Sequence, residues 1–403
     1  MENYPKIQKL TIQKILSDEN LRQSEFPVAQ KKIFLAHAGV CPLPSRVAAA
    51  ITRYLNCAQT DDQEESFKLH SLYEIRKSAA LILNARPEEI ALVGSTSVAL
   101  SIIAAGVQLN RGDNILIYHD DYPSNVYPWE NLKEKGVVVN RLKTAETGKI
   151  TLQDVLNQID EKTRLVALSS CHFLSGWRLE IGKIGQELRN RGILFCVDGI
   201  QTVGAFPTSI EHVDFLAADA HKWLLGPCGA GILYIRKQLQ ESIRPVLLGW
   251  HNVRCPGFVA QDEIIFPDDA RKFEAGAHPL ILLAGLKASL DLINEIGIEN
   301  ISSELLRKRR IIVEALINLN CDILHPNSGL ENQSAIISFT IPGMNMAVIH
   351  KALAEANIIT SLRQDRSSRK FIRVSPHFYN TDKELNTFAE VLYSILKKGN
   401  YSF

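Results

Sequence analysis

Several residue types that could do chemistry together stand just after short apolar runs. The stretch DFLAADAHKWLLGPCGAG starts at Asp214 and places Lys222 between His221 and Trp223, among residues otherwise apolar or small. Lysine is rarely buried, and an unpaired buried ammonium is costly. Such a lysine is either a surface-loop residue or an amine held for reaction. The run ILFCVD closes on Asp198, followed by Gly199, Ile200 and Gln201. A carboxylate ending an apolar run needs a partner, although capping a helix is its commoner task. EIALVG leads into Ser95, Thr96 and Ser97, and NILIY into HDDYPSNVYPW with Tyr122. Hydroxyls and free amides opening a helix bind anions, but Ser and Thr are also ordinary caps there. Tyr122 on its own reads equally as a packing aromatic in a turn.

Taken together these are an amine, a carboxylate, an amide, a flat ring and a phosphate cradle. Pyridoxal 5′-phosphate uses all five. Its aldehyde condenses with an amine as a Schiff base, its ring nitrogen needs a carboxylate to stay protonated, and its phosphate and ring face need an anchor and a stacking surface. A lysine amine, with an ordinary pKa of about 10.4, is a poor nucleophile until burial or neighbours lower it. The rival dinucleotide reading fails, because GPCGAG (226–231) lacks the GxGxxG spacing and precedes a strand pattern instead of a helix.

These residues need a scaffold that brings strand ends together. Fully apolar strand candidates at 89–94, 114–118, 164–170, 193–198, 214–218 and 231–235 alternate with the amphipathic stretches SVALSIIAAGV, PWENLKEKG and EIGKIGQELRNRG. That pattern predicts an α/β fold with a mainly parallel sheet covered on both faces, whose ligands bind at the carboxyl ends of the strands. Asp198 and Lys222 then fall at neighbouring strand ends. From about 280 the texture changes to long helices, strand candidates SAIISFTI (334–341) and FIRVS (371–375), and a helix from about Thr381. The division expected is an N-terminal segment, 1–30, with a helix over about 8–22 that packs with the small domain. A large domain follows over 31–280, then a small α+β domain over 281–403. The 259–276 stretch reads as an irregular connector.

Composition sets the outer bounds. The chain has 403 residues, Lys+Arg 45 against Asp+Glu 44, and 46% hydrophobic residues. The balance gives no sign of a nucleic-acid partner, and the basic run Arg307–Arg310 reads as a solvated helix face. Seven scattered cysteines without a CxxC pair indicate reduced thiols, no metal site and a cytoplasmic setting. Cys196 reads as core. No signal-peptide pattern opens the chain, and no apolar run is long enough to span a membrane.

The chain resembles the class V aminotransferase superfamily of fold-type I pyridoxal-phosphate enzymes, which includes cysteine desulfurases, kynureninase and isopenicillin epimerase. The segments that carry the resemblance are FLAHAGVCPLP (34–44), GSTSVAL (94–100), DDYPSNVYPW (120–129), SSCHFLSGWRL (169–179), VDGIQTVGAF (197–206), AADAHKWLLGPCGAGILYIR (217–236), KFEAG (272–276) and IRVSPHFYNTDKEL (372–385). It implies a Schiff-base Lys222, Asp198 on the pyridine nitrogen, Gln201 on the phenolic oxygen and Tyr122 on the ring face. Ser95, Thr96 and His221 would serve the phosphate, and Arg373 the substrate α-carboxylate. Ala38 and Gly39 would line the substrate pocket. Gly276 and Ala277 would reach the other subunit's phosphate, in a homodimer with shared active sites.

The departures are informative. The region IITSLRQDRSSRKFIR lacks the nucleophilic cysteine of desulfurases, Ala277 replaces a common Thr, and Phe173 replaces an Asn, with Gly176 retained. Asp219 stands where a Ser is frequent, and so close to a phosphate it is expected to turn away. Arg363 reads equally as a second substrate contact or as a solvated loop residue. A Cα carbanion of an amino acid is the common first outcome. It can lead to β-elimination (a C–S lyase, the favoured outcome), to transamination, the runner-up, or to epimerisation. A non-catalytic cofactor-binding scaffold is the alternative of a different class.

Overall fold

The computed structural model describes residues 10–67 and 69–397. Its centre is a seven-stranded sheet of β1 (Ile90–Val93), β2 (Asn114–Ile117), β3 (Val138–Arg141), β4 (Thr163–Ser169), β5 (Leu194–Asp198), β6 (Phe215–Asp219) and β7 (Gly231–Ile235). The spatial order is β1-β7-β6-β5-β4-β2-β3, and β7 alone runs against the others. Alternate residues feed two cores. Ile115, Leu165, Cys196 and Phe215 pack on one face with the helix Thr96–Gly106; Leu116, Val166, Val197 and Leu216 pack on the other with the helices Ile181–Asn190 and Leu280–Ile296. Burial on both faces explains why these strands carry almost no polar residues. β3 escapes sequence detection because it is an edge strand, half polar and largely exposed.

The C-terminal part forms a four-stranded antiparallel sheet of β8 (Asp322–Ile323), β9 (Ile337–Thr340), β10 (Ser361–Gln364) and β11 (Lys370–Val374), in the order β10-β11-β9-β8. It shares a third core with the helices Ile298–Asn318, Met346–Glu355 and Asp382–Lys397. A short parallel pairing of Ile33–Phe34 with Ile358–Ile359 ties the start of the 31–280 stretch to this part.

Two expectations need correction. The helix expected over about 8–22, whose first two residues lie outside the described ones, is two helices, Ile12–Ser17 and Glu19–Glu25. They are separated at Asp18, which is extended and accepts from the Leu21 N–H, because an Asx cap competes with helix continuation. Nor is the run Arg307–Arg310 a solvated face. Lys308 is buried against Glu304, Arg309 donates to the carbonyls of Ser334, Ile336 and His325, and Arg307 pairs with Glu304 and Asp382. Only Arg310 is exposed. Among the described residues no helix is long and apolar enough to cross a membrane, and no cluster of potential metal ligands occurs.

Candidate active site

The lysine sits in a closed loop. β6 ends at Asp219, which pairs with Gly231 at the start of β7, and the chain between them carries Lys222, 6% exposed. Three successive carbonyls of the loop are held. That of His221 accepts from the Cys41 N–H (2.8 Å), that of Lys222 from the Leu225 N–H (3.2 Å), and that of Trp223 from the His377 ring (3.1 Å). Leu225 adopts φ 60, and a Cβ on Gly226 would come within 2.6 Å of the Ala220 Cβ, so the turn is strained and tightly packed. Lys222 Nζ has no hydrogen-bond partner among the described residues; it lies 5.2 Å from the Tyr122 ring centroid. Burial pushes its pKa down to about 8, against the attraction of Asp198; Arg373 and Arg363 push the same way as burial.

Asp198 ends β5, and its register partner on β6 is Ala217, so the two functional ends are adjacent. One carboxylate oxygen accepts from the Ile200 N–H at 3.0 Å, while the other accepts from no described residue. Burial pushes this carboxyl up to about 7, the Asp121 charge adds to that, and the Ile200 N–H and Lys222 oppose it. Asp121 is itself fixed by the Tyr122 and Ser169 N–H groups, the Ser169 hydroxyl and the Asn125 amide. A cationic ring nitrogen beside Asp198 would supply the counter-charge its burial lacks.

At the other end of the cleft the helix Thr96–Gly106 opens after Ser95, with no side-chain cap on its first N–H groups. Thr96 is buried, and its hydroxyl accepts from the Asp219 N–H at 3.0 Å. Asp219 is turned back on its own loop. Its carboxylate takes the N–H groups of Ala220 and Gly229 and lies 3.0 Å from His221 Nδ1, at ion-pair distance but off the hydrogen-bond direction. The open first turn is thus not blocked by an anion.

Gln201 is pinned at both ends of its amide: its oxygen accepts from the Trp223 indole (2.9 Å) and its nitrogen donates to the Ala38 carbonyl (3.2 Å). Tyr122 is half exposed and meets Phe173 edge to face at 5.6 Å. Arg373, on β11, is 1% exposed. One of its terminal nitrogens donates to the Phe173 carbonyl at 2.7 Å, while Nε and the other terminal nitrogen have no partner among the described residues. Burial and the neighbouring Arg363 push this guanidinium down to about 9. Both arginines face Gly39, where an added Cβ would lie 3.6 Å from Arg373 and 3.7 Å from Arg363. Arg363 therefore belongs to the cleft wall. The retained Gly176 has φ 73, and a Cβ there would fall 2.3 Å from the Ile336 carbonyl oxygen.

Gly276 and Ala277 stand apart from this cluster within one chain. The Gly276 N–H donates to the Trp250 carbonyl at 2.7 Å, and Ala277 lines a separate cavity with His251, His278 and Phe67. Their turn is anchored to the edge of the sheet by buried Glu274, which binds Arg76, the Leu92 N–H and His278.

Pairwise contacts therefore link Lys222, Asp198, Gln201, Tyr122, Thr96, His221, Ala38, Gly39 and Arg373 near the strand ends, with Ser95 next to Thr96. The unfinished groups there match the parts of pyridoxal phosphate and an amino acid: an unbonded amine, a half-satisfied carboxylate, open helix amides and an unpaired guanidinium. Sequence reasoning overlooked Asp121 and His377. Asp121 is the first half of the DYP turn that carries Tyr122, and His377 follows Arg373 at strand spacing.

A mainly parallel seven-stranded sheet with this amine and carboxylate on adjacent strand ends defines the fold-type I class of pyridoxal-phosphate enzymes. Within it, the chain belongs to the class V aminotransferase family, whose pattern matches residues 33–388. A probable cysteine desulfurase of Methanothermobacter thermautotrophicus is 28% identical, the match covering 94% of this chain and 98% of that protein. A solved cysteine desulfurase from Thermococcus onnurineus NA1 superposes with a TM-score of 0.86 at 25% identity, covering 94% of this chain and 98% of that one. The cystine C–S lyase C-DES, solved with its product cysteine persulfide, shares the fold with a TM-score of 0.83 at 23% identity, covering 94% of this chain and all of the other.

Proposed function

We propose that this chain binds pyridoxal 5′-phosphate and acts on an amino acid by removing its Cα proton, with β-elimination of a sulfur leaving group as the outcome. The observation that carries the reading is the buried pair at neighbouring strand ends, Lys222 with a lowered pKa and Asp198 with a raised one. When bound, the cofactor supplies an electron sink for the pair of electrons left at Cα. Lys222 would hold the cofactor covalently, and Asp198 the ring nitrogen. Gln201 would donate to the phenolic oxygen, and Tyr122 would cover the ring face. The first turn at Ser95 and Thr96 would hold the phosphate, with His221 behind it. Arg373 would take the α-carboxylate through its two unpartnered donors, in a pocket floored by Ala38 and Gly39. A neutral Lys222 amine, favoured by burial, can accept the Cα proton near neutral pH.

The segment between Ile358 and Arg373, which folds as β10 and β11, contains no cysteine to take sulfur as a persulfide. That supports elimination into solution over transfer to the protein, as does the likeness to C-DES. Gly276 and Ala277 are proposed to reach the active site of a second copy, in a homodimer. Adding pyridoxal phosphate should give an absorbance band at about 420 nm that is lost in Lys222→Ala. A screen of amino acids for pyruvate and sulfide or persulfide release then reads the outcome. A band that survives loss of Lys222 refutes the cofactor role of that residue. Keto-acid formation with amino-group transfer, in place of pyruvate and a sulfur product, refutes elimination.

A further inference from the structure

β11 carries Arg373 and ends at Val374; Ser375 then makes an isolated bridge to Ala36, and His377 follows two residues later. Arg373 donates to the Phe173 carbonyl, the Ser375 hydroxyl accepts from the Ala38 N–H (3.0 Å), and His377 reaches the Trp223 carbonyl (3.1 Å). Three loops are thus held by residues 373–377, at the end of β11 and just beyond it. His377 is fully buried, and its Nδ1 accepts from the Phe378 N–H at 2.9 Å. That leaves Nε2 as the protonated nitrogen, so it donates to Trp223. Packed around it are the rings of Phe378 (4.7 Å), His37 (5.1 Å), Trp223 (5.6 Å) and Tyr379 (6.1 Å), and Lys308 is the nearby positive charge. Burial holds His377 down to about 3, so the donor persists at every working pH.

The hydrogen bond falls on the residue after Lys222, in a loop strained at Leu225. The same Trp223 donates its indole N–H to Gln201. Losing the imidazole donor would leave the buried Trp223 carbonyl unpaired and let the strained turn relax. We infer that His377 is a positioning residue: by holding the Trp223 carbonyl it sets where the Lys222 amine stands, and it links that amine to the strand that carries Arg373. This rests on Lys222 being the cofactor-bearing amine.

The test compares His377→Leu, which removes the donor, with His377→Gln, which keeps an N–H, in the cofactor-loaded protein. In His377→Leu the pH midpoint of the Lys222-dependent absorbance should move by roughly half a unit or more, and kcat should fall roughly tenfold with KM within about twofold. His377→Gln should recover most of both. An unchanged midpoint in a folded His377→Leu overturns the inference, and so does a loss confined to KM. If His377→Leu does not fold, ¹⁵N-histidine spectra of the wild type decide. A single Nε2–H tautomer from pH 5 to 9, whose shift moves when cofactor is added, supports the inference; a protonated or cofactor-insensitive His377 overturns it. Failure of the parent reading looks different: no band appears, or the band persists in Lys222→Ala, whatever stands at 377.

Discussion

Replacing Arg373 by leucine should make the substrate-free protein more stable while ruining its affinity for substrate. The guanidinium is buried with a single acceptor, the Phe173 carbonyl, and two donor nitrogens without partners among the described residues. Burial, with Arg363 beside it, takes its pKa from 12.5 to about 9. Both the folded and unfolded states carry the proton at pH 7, so the whole of that shift counts against folding, an upper bound on the order of 4–5 kcal/mol. The sign follows because a base with a depressed folded pKa is penalised below that pKa, and the penalty lifts as pH rises from about 9 toward 12.5. Leucine also leaves the Phe173 carbonyl unsatisfied, which costs about 1–3 kcal/mol. Allowing for imperfect packing as well, the net gain is about 1–2 kcal/mol, a rise in Tm of about 1–2 °C for a chain of 403 residues. Losing a charge-assisted bidentate contact should raise KM for the amino acid by about two to three orders of magnitude. Calorimetry without substrate and steady-state kinetics read the two halves. A fall in Tm would mean that the guanidinium already has a counter-charge, and the argument for a waiting carboxylate site would fail.

Other outcomes follow from the same geometry. With its pKa near 8, Lys222 should be about one-tenth neutral at pH 7, against fewer than one in a thousand for an ordinary lysine. In cofactor-free protein its acylation rate, followed by peptide mass spectrometry, should therefore rise up to about pH 8 and level off, while surface lysines keep climbing; a Lys222 that titrates with them would contradict the burial argument. Glu274→Ala strands the buried Arg76 and should cost about 3–5 kcal/mol in urea unfolding, with Glu274→Gln milder. Equal, small effects of both would show that the ion pair does not anchor the Gly276–Ala277 turn.

The strands buried on both faces announce themselves by unbroken apolar runs, and Asp198 and Lys222 stand out because they interrupt such runs. β3 and β10 do not, because an edge strand keeps one side in water and carries polar residues. The basic run 307–310 misleads for a related reason. Arginine and lysine can be buried when carbonyls and carboxylates meet them; Glu304 is local, but the other partners lie far off in sequence, at Ser334, Ile336 and Asp382. Arg363 is ambiguous in sequence, and strand pairing resolves it. β10 and β11 place it on the same side as Arg373, facing Gly39. His377 is visible in the motif IRVSPHFYNT, but its task depends on a main-chain carbonyl, and carbonyls carry no sequence signal. Asp121 is hidden the same way, since most of its donors are backbone or small polar groups.

The reversal of β7 has a consequence for how this site tolerates change. Because Asp219 and Gly231 are opposite one another in neighbouring strands, the segment between them leaves and re-enters the sheet at one place. Extra residues there cannot be absorbed by sliding an element along the sheet; they would have to bulge outward and carry the amine with them. Length variation should accordingly be poorly tolerated between 220 and 230 and far better tolerated within the exposed segment 255–264, whose feet are joined by the Arg254 N–H on the Ile265 carbonyl (2.8 Å) but lie outside the sheet.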